Sequence, residues 1–166
     1  MEAVERSEIA IFPLTPERFS ELARLIVALA DYEHLPPPDE DAFARMREHA
    51  FADRPKFEAF LAYSDNKVAG YAIIFETYSS FLAKPTLYLE DLFVLPEFRS
   101  QKIGYTLFAF AVGEAVRRKC GRMEWQVLDW NELALSFYRK FDAMLLDGWL
   151  PCRLDENGLR KIIEKL

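Results

Sequence analysis

Two rhythms of apolar residues run along the chain. IAIFPL (Ile9 to Leu14) is apolar and β-rich, which predicts an opening strand stopped at Pro13. In TPERFSELARLIVALADYEHL, residues Phe19, Leu22, Ala23, Ile26 and Leu29 recur at helical spacing, with Thr15 as the expected N-cap and Pro16 at the first helical position. PPPDE breaks the pattern, and Asp39 is expected to cap a second helix through EDAFARMREHAF. FEAFLAY, the turn SDN and KVAGYAIIFETY predict an antiparallel hairpin, and SSFLAKP a loop. TLYLEDLFVL predicts a strand closed by Pro96.

Helical spacing returns from Ile103 to Arg118, with Gly121 as the expected stop. RMEWQVLDW predicts a further strand, so strand, helix and strand here form a βαβ unit with a parallel pair and a right-handed crossover. NELALSFYRKF predicts a short helix with Asn131 as its N-cap. AMLLDGWLPCRLD is read as a last strand region and ENGLRKIIEKL as a tail helix. The expectation is a single α/β domain, residues 1–166, on one mixed central sheet.

Composition narrows the function. The chain has 166 residues, 51% apolar and 14% aromatic, enough for one globular core. A net charge of -6 argues against a nucleic-acid module. The acidic excess lies before residue 86, and the remainder is balanced, an arrangement suited to a cationic substrate beside an anionic cofactor or simply to solvated helix faces. MEAVERSE lacks a signal-peptide pattern, and the longest apolar stretch, Leu107 to Val116, is too short for a membrane span. Cys120, Cys152, His34 and His49 show no metal-ligand spacing, so a reducing, cytosolic setting without metal is expected.

The chemistry is sought first at PEFRSQKIGYTLF (Pro96 to Phe108), where a strand gives way to a helix. A helix start leaves backbone N–H groups unpaired and pointing one way, and the helix dipole adds positive charge there. Residues 100–105 are thus a candidate phosphate cradle, with Arg99 and Lys102 able to add point charges, or an ordinary structural turn. Glu90 and Asp91 are adjacent carboxylates inside an apolar strand, costly to bury unpaired. Asn131 and Tyr138 are seven residues apart and share a helical face.

The segments LADYEH, YLEDLFV, RSQKIG, DWNELALSFY and DGW, in this order, resemble the GNAT superfamily of N-acetyltransferases, and within it the diamine acetyltransferases of spermidine/spermine and thialysine type. The resemblance implies acetyl-CoA as donor, its pantetheine arm on the backbone of Leu92, Phe93 and Val94. The pyrophosphate would rest on Arg99, Ser100, Gln101, Lys102, Ile103, Gly104 and Tyr105, with Asn131 and Tyr138 also at the cofactor. It places the amine at Glu90 and Asp91, with Tyr32, Glu33 and Trp149 at the mouth.

In the implied reaction Glu90 takes the amine proton through a water and Tyr138 protonates the departing sulfur. An amide near Phe93 faces the developing oxyanion. A small cationic amine acceptor and a homodimer are also implied. The chain departs from the family pattern twice. Lys102 replaces the first glycine of Arg/Gln-x-x-Gly-x-Gly/Ala, and Asp142 stands where glycine usually follows the tyrosine-bearing helix. If position 102 needs a positive φ, a side chain there costs on the order of 1–2 kcal/mol. These departures keep open a non-catalytic acyl-CoA-binding member that serves as an interaction module.

Overall fold

The computed structural model describes residues 8–166. The chain forms two compact units, one ending at Gln126 and the other running Val127–Leu166.

The first unit is built on five strands in chain order: β1 (Ile9–Pro13), β2 (Glu58–Ser64), β3 (Lys67–Ser79), β4 (Lys84–Val94) and β5 (Arg122–Glu124). The β1–β2, β2–β3 and β3–β4 pairs are antiparallel and β4–β5 is parallel. Asp65 and Asn66 take φ of 49° and 62° at the β2–β3 turn, the left-handed geometry that a tight hairpin requires and that Asp and Asn tolerate best.

Helices α1 (Phe19–Tyr32) and α2 (Glu40–Ala50) follow β1, and α3 (Ile103–Arg117) joins β4 to β5. Phe19, Leu22, Leu25 and Ile26 of α1 bury against Ala59, Leu61, Tyr71, Ile73 and Phe93, with Phe43 and Met46 of α2 packed beside them. Each such apolar side chain taken out of water contributes about 1.5–3 kcal/mol. Phe110 of α3 meets Phe60 at 4.6 Å between ring centroids, and its stripe Ile103, Leu107, Phe108 and Ala111 is buried. Phe60 and Leu61 are neighbours on β2, so α1 and α3 cover opposite faces. Gly70 is demanded by packing: a Cβ there would stand 2.4 Å from the Phe93 carbonyl oxygen, across the β3–β4 ladder.

Several ends differ from expectation. Thr15 makes no side-chain cap bond, and the chain enters α1 through a 3-10 turn at Pro16–Arg18. α3 is stopped by Lys119 at φ 56°, not by Gly121. The Cys120 amide donates to the Ala115 carbonyl (2.9 Å) and the Lys119 amide to that of Val116 (3.0 Å), which closes the last turn. Gly121 instead lets the chain pass Leu82 and Lys84, which a Cβ would meet at 3.0 and 3.2 Å. β5 has three residues where a longer strand was expected, and its pairing ends at Tyr88 with Glu124.

The second unit holds α4 (Glu132–Arg139) and α5 (Glu156–Ile163). The Asn131 and Asp155 side chains cap them, accepting from the Ala134 amide (3.1 Å) and the Gly158 amide (2.7 Å). Leu135 and Tyr138 are its buried residues. The strand expected in AMLLDGWLPCRLD does not form: Gly148 turns left-handed at φ 90°, Pro151 has no amide to pair, and Met144, Trp149 and Leu150 are exposed.

Candidate active site

The C-terminal half of β4 carries the carboxylates. Ile73 faces Asp91 and Ile74 faces Leu89, which leaves Glu90 as the extra residue of a β-bulge. The bulge resets the alternation of side chains. Leu89 falls on the α3 face, while Asp91 and Phe93 turn to the α1 face beside Ile73 and Tyr71. Two consecutive polar residues in the strand were the sequence signal for this break, which the strand expectation did not use.

The Tyr71 hydroxyl donates to Asp91 Oδ2 at 3.1 Å. Burial, together with the nearby Glu90 and Glu33 carboxylates, lifts Asp91 to about 6 against the lowering effect of that hydrogen bond. Burial also raises Glu33, at the C-terminal end of α1. Glu90 is exposed, whereas Asp91 beside it is half-buried. Tyr71, wholly buried and itself raised by burial and by Asp91, was not anticipated; a lone tyrosine in the apolar run VAGYAIIF was its only trace.

Four expected amine-site residues therefore come together in the first unit. Tyr32, Glu33, Glu90 and Asp91 gather around Phe93 and Tyr71, with Tyr32–Phe93 and Tyr71–Phe93 ring centroids 6.3 and 6.4 Å apart. Arg99 joins them. Its Nε donates to the Val94 carbonyl (3.2 Å), and its guanidinium carbon lies 4.7 Å from the Tyr32 ring centroid and 5.9 Å from that of Phe93. Two open clefts of about 550 and 520 Å³ flank Tyr63 instead, and neither is lined by Asp91, Tyr32 or Arg99. A carboxyl shifted by burial and by neighbouring charges is itself the mark of a candidate site.

The loop before α3 settles the conformation of Lys102. Its φ of 66° and ψ of 5° are left-handed, and Ser100 at φ 64° is left-handed as well. The residue that replaces the pattern's glycine thus keeps a glycine-like backbone while its side chain is exposed to solvent. Thr106 fixes the turn, its amide and hydroxyl both donating to the Lys102 carbonyl (2.9 and 3.0 Å). The Gln101 amide donates to the Glu97 carbonyl and its oxygen accepts from the Ser64 hydroxyl, each at 3.4 Å. Ile103 and Gly104 open the first turn of α3, where amides have no acceptor four residues earlier. A Cβ on Gly104 would find only Val94 Cγ2, at 3.7 Å, so the surface there is open. These features suit an anion such as a pyrophosphate.

The backbone of Leu92, Phe93 and Val94 lies on β4 beyond Tyr88, where pairing with β5 has ended. Tyr105 is exposed in the first turn of α3.

In the second unit, the Asn131 side-chain oxygen is spent on its helix cap. Tyr138 is buried, and burial pushes its phenol up to about 12. Trp149 is 80% exposed. Asp142 has a φ of 54°, so both departures from the family's glycines sit at left-handed positions.

The sequence profile of the acetyltransferase (GNAT) family matches residues 21–143. The chain belongs to the GNAT family, and it is an N-acetyltransferase. It is 38% identical over 110 residues to an L-ornithine N5-acetyltransferase of Arabidopsis thaliana, covering 65% of this chain and 48%, about half, of that relative. It is 28% identical over 153 residues to a thialysine N-epsilon-acetyltransferase of Mus musculus, covering 86% and 89% of the two chains. Among solved structures, an integron cassette protein of V. cholerae superposes with a TM-score of 0.80 at 23% identity, covering 94% of this chain and 98% of that one. No described helix is long and apolar enough to cross a membrane.

Proposed function

We propose that residues 1–166 act as one acetyl-CoA-dependent N-acetyltransferase domain that acetylates a primary amine of a small cationic substrate, a basic amino acid or a polyamine. The observation that carries this reading is the half-buried Asp91 carboxyl, hydrogen-bonded to Tyr71 and close to the Glu33 and Glu90 carboxylates. The family profile supports the domain assignment, since its match runs across the boundary between the two compact units. The glycine-like backbone at Lys102 supports a retained cofactor loop, and nothing in the comparisons favours a non-catalytic member.

Acetyl-CoA, when bound, supplies a thioester acyl group. Residues 100–105 would hold its pyrophosphate on backbone amides, and Leu92, Phe93 and Val94 would line the pantetheine arm. Asn131 is kept from the resemblance as a cofactor contact. On the amine side, Glu33, Glu90 and Asp91 attract the ammonium and Tyr32 offers it an aromatic face, with Trp149 kept from the resemblance as a mouth residue. An alkylammonium has a pKa of about 10.4 and must lose a proton to become a nucleophile. Raising Asp91 from 3.8 to about 6 narrows that gap by roughly 3 kcal/mol, which favours Asp91 over exposed Glu90 as the direct acceptor.

Tyr138 at about 12 keeps its proton throughout the physiological range. A thiol titrates near 8.5, so full transfer from this phenol to a thiolate is uphill. Tyr138 is thus assigned as a hydrogen-bond donor to the departing sulfur.

The test is calorimetric titration with acetyl-CoA, followed by a thiol-release assay over a panel of amines. Micromolar binding and turnover with ornithine, thialysine or spermidine are expected. Asp91→Asn should leave acetyl-CoA binding intact and cut kcat about 100-fold. Absence of acetyl-CoA binding ends the reading, and full activity in Asp91→Asn removes that residue from the chemistry.

A further inference from the structure

A wholly buried phenol has to place its hydroxyl on a partner. Tyr71 lies opposite Phe93 across the β3–β4 ladder and Ile73 lies opposite Asp91, which makes Asp91 the diagonal neighbour of Tyr71 on the α1 face. The phenol reaches along that diagonal and donates to Asp91 Oδ2 at 3.1 Å. Its ring is gripped in the core beneath α1, 6.4 Å from the Phe93 ring, so the hydroxyl has little freedom to turn away. The bulge at Glu90 makes the bond possible, because strict alternation from Leu89 would have turned Asp91 to the α3 face.

The bond gives the two carboxyl oxygens different duties. Oδ2 is held by the phenol, while Oδ1 accepts no hydrogen bond among the described residues. Asp91 is faced by Tyr71 from β3, by Glu90 beside it on β4 and by Glu33 from the C-terminal end of α1, with Arg99 stacked on Tyr32 and Phe93 in the same cluster. Burial and the two carboxylates oppose a charge on Asp91, and the hydrogen bond from Tyr71 favours it. Burial also raises Tyr71 well above the ordinary phenol range, so it keeps its proton and is always the donor of the pair.

We propose that Tyr71 is a positioning residue for amine activation: its hydroxyl pins Asp91 Oδ2 and leaves Oδ1 to receive the proton of the acceptor amine. This role rests on the acetyltransferase reading above and adds a residue to its amine site. In the step concerned an ammonium N–H bond breaks, the proton passes to Oδ1, and the electron pair stays on nitrogen for attack on the acyl carbon. Tyr71 gains and loses no proton. It orients the receiving carboxylate and keeps it charged.

The test is Tyr71→Phe, which keeps the ring and removes only the hydroxyl. Two readouts are followed. One is the pH profile of kcat/KM in the thiol-release assay, with spermidine or L-ornithine, whichever turns over faster. The other is the titration of Asp91 by carboxyl-carbon NMR, which needs no turnover. In wild-type protein both should show a midpoint at about 6. In Tyr71→Phe both should move up by about one to two pH units, the worth of a hydrogen bond to a charged group. The variant's kcat/KM should then fall about 3- to 25-fold near pH 6.5 beyond any loss at the alkaline plateau. Its acetyl-CoA affinity should stay within about twofold, which reports that the fold is intact.

An acid limb of kcat/KM that stays in place in Tyr71→Phe overturns the proposal, whatever happens to the plateau, since a purely structural loss would lower every pH alike. Wild-type protein supplies a second arm in which folding is not in question. There the Asp91 titration and the acid limb must share one midpoint, and midpoints more than about one unit apart overturn the proposal as well. Absence of wild-type turnover with every amine is a different pattern: it defeats the acetyltransferase reading and, with it, the role given to Tyr71.

Discussion

Residue by residue, what the sequence conveyed was composition at a position, and what it withheld was backbone sign. The loss of two family glycines, at Lys102 and Asp142, could be seen by comparison with the family pattern. Whether those positions still required φ > 0 could not, because a lysine carries no mark of the dihedral it occupies. Both do, at 66° and 54°. Lys102→Gly should therefore relieve strain at the head of α3. The expected outcome is a rise in melting temperature corresponding to at most about 1 kcal/mol, with acetyl-CoA affinity equal or tighter. A drop in stability would show that the lysine side chain makes compensating contacts.

Asp91 gives a second residue-scale expectation, and its sign is fixed by burial. Its folded-state pKa of about 6 lies above the ordinary 3.8, so its contribution to stability is fully present below about 3.8 and lost as pH rises through 6. Asp91→Asn should thus match wild-type stability near pH 4 and exceed it near pH 7.5, by roughly 1–3 kcal/mol in urea titrations. An equal difference at both pH values would mean that the carboxyl is not the titrating group.

Among the elements, the five described α-helices fall on segments read as helices, and the caps expected at Asp39 and Asn131 form while the one expected at Thr15 does not. Asp39 accepts from the Ala42 amide at 2.7 Å, as Asn131 and Asp155 do for their helices. Strand limits were less legible, since a strand exists only with a partner. β5 stopped early, and the segment after α4 has apolar content but no pairing. The bulge at Glu90 lay beyond simple alternation, yet it is what turns Asp91 toward Tyr71.

The C-terminal end of α3 depends on ions that lie far apart in sequence. Arg118 donates to Glu58 (2.6 and 2.9 Å), Glu76 (3.2 Å) and Glu114 (2.8 Å), joining α3 to β2 and β3. The Arg118 side chain is 12% exposed while Glu58 and Glu76 are nearly half exposed, so solvent screens part of the gain. Arg118→Ala should destabilise by about 1–3 kcal/mol in urea. Arg117 and Arg118 hold Glu114 down at about 2, so its contribution is present above 4.5 and fades as pH falls through 2. That acid-dependent loss should shrink in the variant.

Taken as a whole, the molecule was recognisable from motif order, because five short segments in fixed succession constrain a fold more than any one of them. Neither the resemblance nor the monomer fixes assembly. The homodimer implied by the family is expected in sedimentation equilibrium as a species of twice the chain mass at micromolar concentration. A monomer throughout would leave Asp91 and Tyr71, both on one chain, to form the proposed amine site unaided.

One economy runs through the turns. The sequence has six glycines, yet His34, Asp65, Asn66, Ala83, Ser100, Lys102, Lys119 and Asp142 all adopt positive φ, against Gly148 alone among the glycines. Each of those side chains narrows the conformations open to the denatured chain, so less entropy is surrendered at that link on refolding. Local discomfort in the finished structure is thereby partly cancelled before folding begins. Wholesale restoration of glycine would loosen the starting ensemble as it relaxed the end point, so the net gain at each link would be smaller than the strain removed.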